Sequence, residues 1–299
     1  MSARLGSSEH SKAGLSVALI AVAALAAGCV GAGGGSSASA TPGASGDPSG
    51  SGSTSGFYMR TYQTQALPPA STFGWMPTST IADGQYINGM VAIPAVYPGP
   101  LYTGMYARPI SPAGIQAIIA EAGKDGMLGS KTDFTGEPIP GSVLLHIELT
   151  IDGVTHDLSG SALSEAAPTS AEPGTTAAFE AFWSKVTSID TWLAPELGAS
   201  SPYVPTSLAV LVTPPTDVSN DLGIAPTEIP WPLTGAFATF GKVFGGADSR
   251  CATVTGQDLA NLLPVVQASN QLTRFVDSSG AKASLRVVPL VPGDAGPCA

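Results

Sequence analysis

Residues 142–158 read SVLLHIELTIDGVTHDL. Apolar and polar side chains alternate on both sides of Asp152-Gly153, a dipeptide that strongly favours a two-residue hairpin turn. The stretch therefore predicts two antiparallel strands, Ser142–Ile151 and Val154–Leu158. Because successive side chains of a strand point to opposite faces, one face of this hairpin is apolar and the other is polar.

A two-residue turn also fixes which residues of the hairpin are neighbours. It places His156 on the apolar face, and it places His146 on the polar face with Glu148 and Asp157. These two histidines are the only ones beyond residue 28, and they point away from each other. We therefore expect no histidine-ligated metal site, such as a zinc site, and no Ser-His-Asp triad.

Glu148 and Asp157 fall directly opposite each other in this register. Like charges that face each other across a sheet are mildly destabilising, so a neighbouring group is expected to offset them. Two interpretations stay open: the carboxylates bind a calcium ion or act as general acid and base, or they belong to a solvated sheet face with cations nearby.

Short strands and hairpins continue outward from this stretch. Residues 57–64 alternate in the same way, and a second Asp-Gly dipeptide, at 83–84, predicts a hairpin of strands 76–81 and 85–87. Further strands are predicted over residues 101–108, 207–213, 251–254, 273–276 and 284–288.

Helical spacing of apolar residues occurs in three stretches. Ser111 and Pro112 open a helix over residues 112–123. An aromatic-rich stretch predicts the longest helix, over 175–193, and Thr255 is expected to cap a third. Short helices with mainly antiparallel hairpins define an α+β fold.

Strand, helix and hairpin follow one another twice, near residues 101–158 and near 251–289. This order suggests two similar units, with a boundary near 165–205. A long Pro/Gly-rich connection over 214–248 contains Trp231 between two prolines. That tryptophan is either an exposed contact anchor or a side chain that fills a core.

The first 56 residues have a different composition from the rest. Arg4 and Lys12 precede an apolar stretch over residues 15–27, which is shorter than the roughly 20 residues that span a bilayer and typical of a signal peptide. Residues 30–56 are Gly, Ser, Ala, Thr and Pro with one charge, Asp47, and predict a disordered tether.

The junction reads Leu25-Ala26-Ala27-Gly28-Cys29. It resembles the lipobox of bacterial lipoproteins, in which small residues precede a cysteine that is acylated and becomes the new N-terminus. The resemblance implies a signal peptide over 1–28, a lipid such as palmitate on Cys29, a tether over 29–56 and a globular domain over 57–299. It departs from the common pattern in having Ala26 where leucine is most frequent.

Lipidation of Cys29 leaves Cys251 and Cys298, and an even remainder in an exported chain predicts one disulfide bond. The surrounding stretch, from Arg250-Cys251 to Pro289-Leu290-Val291-Pro292, resembles exported proteins of high-GC Gram-positive bacteria. That resemblance implies export and no particular activity.

The formal net charge of −10, with no cluster of lysine or arginine, makes nucleic acid a poor partner. Neither a cofactor motif nor a catalytic motif stands at a strand–helix junction. We expect a lipid-anchored, non-enzymatic module that faces outside the cytoplasm and binds an envelope protein or a small ligand, with Trp231, Glu148 and Asp157 as candidate binding residues. The alternatives are an envelope hydrolase that uses Glu148 and Asp157, and a structural spacer.

Overall fold

The computed structural model of the chain describes residues 56–64, 73, 77–89, 97–135, 143–161, 172–215 and 223–299. This part contains two mostly antiparallel sheets and four helices, so the chain is α+β as predicted. The expected signal peptide, Cys29 and the tether up to residue 55 lie outside the described residues. None of the described helices has the length and apolar character needed to cross a membrane.

The first sheet has eight strands in the order β5-β7-β6-β1-β2-β3-β4-β8. All neighbours pair antiparallel except β5 and β7, which are parallel. Its strands are β1 Phe57–Thr64, β2 Ser79–Ala82, β3 Gln85–Asn88, β4 Tyr106–Pro109, β5 Asp133–Phe134, β6 Leu144–Ile151, β7 Val154–Ser161 and β8 Ser201–Pro202.

Both predicted Asp-Gly hairpins are present in this sheet. Asp83 and Gly84 have φ of 50° and 70°, and Asp152 and Gly153 have φ of 49° and 82°. Two consecutive positive φ values define the turn whose twist matches that of the flanking strands, and asparagine, aspartate and glycine tolerate them best. The turn over 152–153 sets the register of β6 and β7 that the sequence predicts.

The second sheet has six strands in the order β10-β13-β14-β9-β12-β11, and only β10 and β13 are parallel. The strands are β9 Ser207–Thr213, β10 Glu228–Pro230, β11 Lys242–Val243, β12 Arg250–Thr255, β13 Arg274–Val276 and β14 Lys282–Pro289. The predicted connection over 214–248 is thus partly regular, since it supplies β10, β11 and a 3₁₀ turn at Phe237–Thr239.

The helices are α1 Pro112–Lys124, α2 Thr176–Val186, α3 Ile189–Trp192 and α4 Gly256–Gln267. Ser111 caps α1 by accepting a hydrogen bond from the Gly114 N–H at 3.1 Å, as its sequence predicts. Thr255 occupies the corresponding position before α4, but its side chain makes no capping hydrogen bond.

The predicted helix over 175–193 is wrong in its length, because the chain leaves helical geometry between α2 and α3. The Thr187 hydroxyl donates to the Trp183 carbonyl at 2.8 Å, and the Ser79 hydroxyl of β2 donates to the Val186 carbonyl at 2.8 Å. Such side-chain bonds compete with the helical ladder, and Ser188 then adopts φ −122° and ψ 35°.

Each sheet has its own principal hydrophobic cluster. The first contains Met59, Ile118, Ile147 and Phe179 among its fully buried members. The second lies on one face of the other sheet and includes Val210. The strand predicted over 101–108 begins only at residue 106, because the Leu101 N–H bonds to the Ser269 carbonyl at 3.0 Å and Leu101 packs against the second cluster.

The two strand–helix–hairpin units are arranged differently. Three strands, β1 to β3, separate β4 from the hairpin β6–β7 in the first sheet. Only β9 separates β12 from the hairpin β13–β14 in the second. The change from one sheet to the other falls between residues 202 and 207.

Candidate functional site: the polar face of the first sheet

The hairpin β6–β7 presents the two faces that its sequence predicts. Leu149 pairs with His156, and Glu148 pairs with Asp157. Leu149 is fully buried in the first hydrophobic cluster, whereas Asp157 is exposed. His146 therefore shares the polar face with the two carboxylates, and His156 lies on the other side.

A third charged residue, which the sequence reasoning missed, joins this face from β1. Arg60 pairs with Glu148 in the register of β1 and β6, and its Nη2 lies 2.9 Å from Glu148 Oε2. The guanidinium thereby offsets the opposition of Glu148 and Asp157. Alternation over residues 57–64 places Arg60 on one face of a strand, but nothing in the sequence tells that β1 lies beside β6.

Arg60 also holds the C-terminal part of the chain. Its Nη1 lies 3.0 Å from Asp294 Oδ1, so one guanidinium is shared between two carboxylates. Burial by itself lowers the pKa of Arg60, but the neighbouring Tyr58, Asp294 and Glu148 side chains raise it on balance. Arg60 is therefore a permanent cation at this site.

Tyr58 lies beside Arg60 on the same face. Burial raises the pKa of its phenol to about 12, although the neighbouring Arg60 acts in the opposite direction. The hydroxyl is therefore neutral at physiological pH. A side chain added at Gly293 would approach the Tyr58 oxygen to 2.7 Å, so the C-terminal segment covers this half of the face closely.

The other half of the face carries an ordered aromatic pair. The rings of Tyr62 and His146 are stacked, with centroids 4.7 Å apart and planes inclined by 6°. The Arg60 guanidinium carbon lies 4.9 Å from the centre of the Tyr62 ring. Stacking and cation–π contact together restrict the Tyr62 side chain.

The surroundings of His146 favour the neutral form of its imidazole. Burial lowers the pKa of its imidazole, and Asp157 only partly opposes that effect. Its Nε2 lies 2.8 Å from the Thr64 hydroxyl oxygen. A neutral imidazole that is hydrogen-bonded and stacked presents a fixed polar contact.

Glu148 and Asp157 have different surroundings despite their pairing. Glu148 accepts from Arg60, and its side chain retains 30% exposure. Asp157 is exposed, as is Thr155, whose hydroxyl lies 2.9 Å from that of Thr150. The face therefore offers one exposed carboxylate, that of Asp157, and one carboxylate, that of Glu148, which is engaged by Arg60.

Trp231, the third candidate binding residue, lies in the second hydrophobic cluster and is 8% exposed. Its ring centroid lies 5.2, 5.5 and 5.9 Å from those of Phe237, Phe240 and Phe275. This placement corresponds to the core interpretation of Trp231 and leaves the side chain little surface for a partner.

The remaining predicted residues are the three cysteines. Cys251 and Cys298 form the predicted disulfide bond, and Cys29 lies outside the described part. No group of three or more His, Cys, Asp or Glu side chains among the described residues is placed to hold a metal ion.

Three clefts of about 210, 500 and 470 Å³ are lined by described residues, and none of the three includes Glu148 or Asp157. The polar face is thus a surface and not the wall of one of these clefts. Comparison with protein-family models, with curated proteins and with solved structures finds no match to the chain.

Proposed function

We propose that the chain is an exported lipoprotein, anchored through Cys29, that binds a protein partner outside the cytoplasm through the open half of its polar face. The observation that carries the binding part is the group of Tyr62, His146, Glu148 and Asp157 on the polar sheet face, where the first three are half-buried and Asp157 is exposed. The anchor rests on the lipobox at residues 25–29.

The export part of the proposal has one supporting feature in the described structure. The bond between Cys251 and Cys298 is typical of proteins that mature in an oxidising compartment. The tether over residues 29–56 would let the domain reach a partner roughly 29 Å from the membrane.

The binding surface combines preorganisation with negative charge. Tyr62 and His146 are held by each other, so they lose little side-chain freedom when a partner is bound. Glu148 and Asp294 flank the guanidinium of Arg60, and Asp157 lies opposite Glu148 on the next strand. A partner with a basic segment complements this charge.

A hydrolase that uses Glu148 and Asp157 has less support. General acid–base catalysis by a carboxyl pair needs one group to hold a proton near a substrate. Glu148 instead forms an ion pair with Arg60, and Asp157 faces solvent.

The test is crosslinking of the full protein in its host cells, followed by mass spectrometry of the captured proteins. Four forms are compared: the unaltered protein, Cys29→Ser, Asp157→Asn, and Glu172→Gln as a control that removes one exposed carboxylate elsewhere. We expect a defined partner that is captured by the unaltered protein and by Glu172→Gln, and lost in the other two.

Two results would contradict the proposal. Capture of the same partner by Asp157→Asn at the unaltered level would exclude the polar face as the contact. Turnover of a substrate by the purified protein, abolished by Glu148→Gln or Asp157→Asn, would make the face a catalytic site.

A further inference from the structure

The cleft of about 470 Å³ lies at one end of the second sheet, where β9 ends at Thr213 and the 3₁₀ turn over 237–239 faces it. Its volume falls within the range of small-molecule sites, about 300–1,000 Å³. Val212, Ala283 and Phe237 supply apolar surface, and all three are buried members of the second hydrophobic cluster.

Arg250 lies on this apolar side of the sheet. In the register of β12 and β9 it pairs with Val212, and the next positions on the same face pair Ala252 with Val210. Val210 and Val212 are buried members of the second cluster. Arg250 is therefore a cation at the edge of an apolar surface.

The guanidinium of Arg250 is half-buried and makes no hydrogen bond or ion pair within the part of the chain that the structure describes. The other cation of the cleft is Lys282, whose Nζ lies 2.6 Å from Glu228 Oε1. Asp248, at the rim, is exposed. Among the described residues, the guanidinium of Arg250 thus has no hydrogen-bond or ion-pair partner and lies beside apolar groups.

A guanidinium has a planar fork of donors that matches the two oxygens of a carboxylate. Lys282 is already neutralised by Glu228, and Asp248 opposes further negative charge, so the cleft favours a monoanion over a dianion such as a phosphate monoester. We propose that this cleft binds a small apolar carboxylate, with Arg250 on the carboxylate and the surface of Val212, Phe237 and Ala283 on its apolar body.

This site is separate from the polar face and does not depend on the proposed function. Phe237 packs against Trp231, with ring centroids 5.2 Å apart. Phe237 thus joins the aromatic side chains around Trp231 to the wall of the cleft, where an aromatic or aliphatic ligand would contact it.

The probe for the test is 4-phenylbutanoate, with its neutral amide as a matched analogue. Binding to the purified full protein, held in lipid nanodiscs, is measured by saturation-transfer difference NMR with empty nanodiscs as the blank. For a ligand of this size we expect a Kd on the order of 1 mM. The amide should bind at least about 10-fold more weakly, since it lacks the charge-assisted bonds.

Variants distinguish a direct contact between Arg250 and the ligand from a general effect of positive charge on the protein. Arg250→Gln should raise the Kd for 4-phenylbutanoate about 10-fold or more, and Arg250→Lys should raise this Kd less. Lys124→Gln, which removes a cation that is 68% exposed on α1, should leave the Kd unchanged. Because the Arg250 side chain has no partner among the described residues, thermal unfolding of Arg250→Gln should match that of the unaltered protein.

The proposal is overturned if the carboxylate does not bind saturably, if the amide binds equally well, or if folded Arg250→Gln keeps the original Kd. Any of these results leaves the crosslinking test of the polar face unaffected, because Asp157 does not line the cleft.

Discussion

Replacing Arg60 by glutamine removes the one cation that is shared by Glu148 and Asp294. The two bonds measure 2.9 and 3.0 Å, and the exposed fractions of the three side chains are 17%, 30% and 18%. Hydrogen bonds to charged groups contribute about 1.5–3 kcal/mol each, and fully exposed ion pairs contribute about 0–1 kcal/mol. For this partly buried geometry we take about 1–2 kcal/mol for each bond.

The variant also leaves Glu148 opposite Asp157 without compensation. Like charges in that position cost about 0.2–1 kcal/mol. Together these effects predict that Arg60→Gln lowers the free energy of unfolding by about 3 kcal/mol. The measurement is urea unfolding followed by circular dichroism, in which the midpoint should fall and the slope should stay constant.

A double-mutant cycle isolates the bond to Asp294. Combining Arg60→Gln with Asp294→Asn should cost less than the sum of the two single changes, with a coupling energy of about 1–2 kcal/mol. Lys124→Gln is the control, since its ion pair with Glu121 involves a lysine that is 68% exposed, and it should change stability by at most about 0.5 kcal/mol. A loss below that level for Arg60→Gln, or zero coupling, would refute the role assigned to Arg60.

Three further predictions concern stability. Replacing Cys251 and Cys298 by serine should lower the free energy of unfolding by about 4 kcal/mol, because the bond joins residues 47 apart in the chain. Adding a reductant should cause the same loss in the unaltered protein and no further loss in the serine variant. Burial holds the pKa of His146 below its ordinary 6.5, so the unfolded state binds more protons and the free energy of unfolding should fall as pH drops through about 6.5. The prediction is wrong if His146→Gln shows the same dependence of the free energy of unfolding on pH as the unaltered protein. Trp231→Ala should cost about 3–5 kcal/mol in thermal or urea unfolding, since the side chain is 8% exposed in a core, whereas a negligible loss would favour a contact role.

The features that could be predicted from the sequence are those that depend on neighbours in the chain. Residues 57–64 form β1 within the predicted bounds, and both Asp-Gly dipeptides form the expected turns. The opposition of Glu148 and Asp157 follows from the turn at 152–153 alone. Each of these requires only alternation and local backbone geometry.

The features that were missed depend on which strands become neighbours. Arg60 reaches Glu148 because β1 pairs with β6, which is 88 residues away in the chain at this position. The interruption after α2 depends partly on Ser79, which lies on β2, at a sequence distance of 107 residues from Val186. No periodicity within either stretch contains information about its partner.

The shared role of Arg60 also relates the polar face to the second sheet. Asp294 belongs to the segment that follows β14, and the same segment ends near Cys298, which is bonded to Cys251 on β12. Leu290, at the start of the segment, donates its N–H to the Ser207 carbonyl of β9 at 3.0 Å. A basic partner that competes with Arg60 for Glu148 would therefore also act on the guanidinium that holds Asp294. If the proposed binding occurs, we expect it to be coupled to the attachment of the C-terminal segment through this one guanidinium.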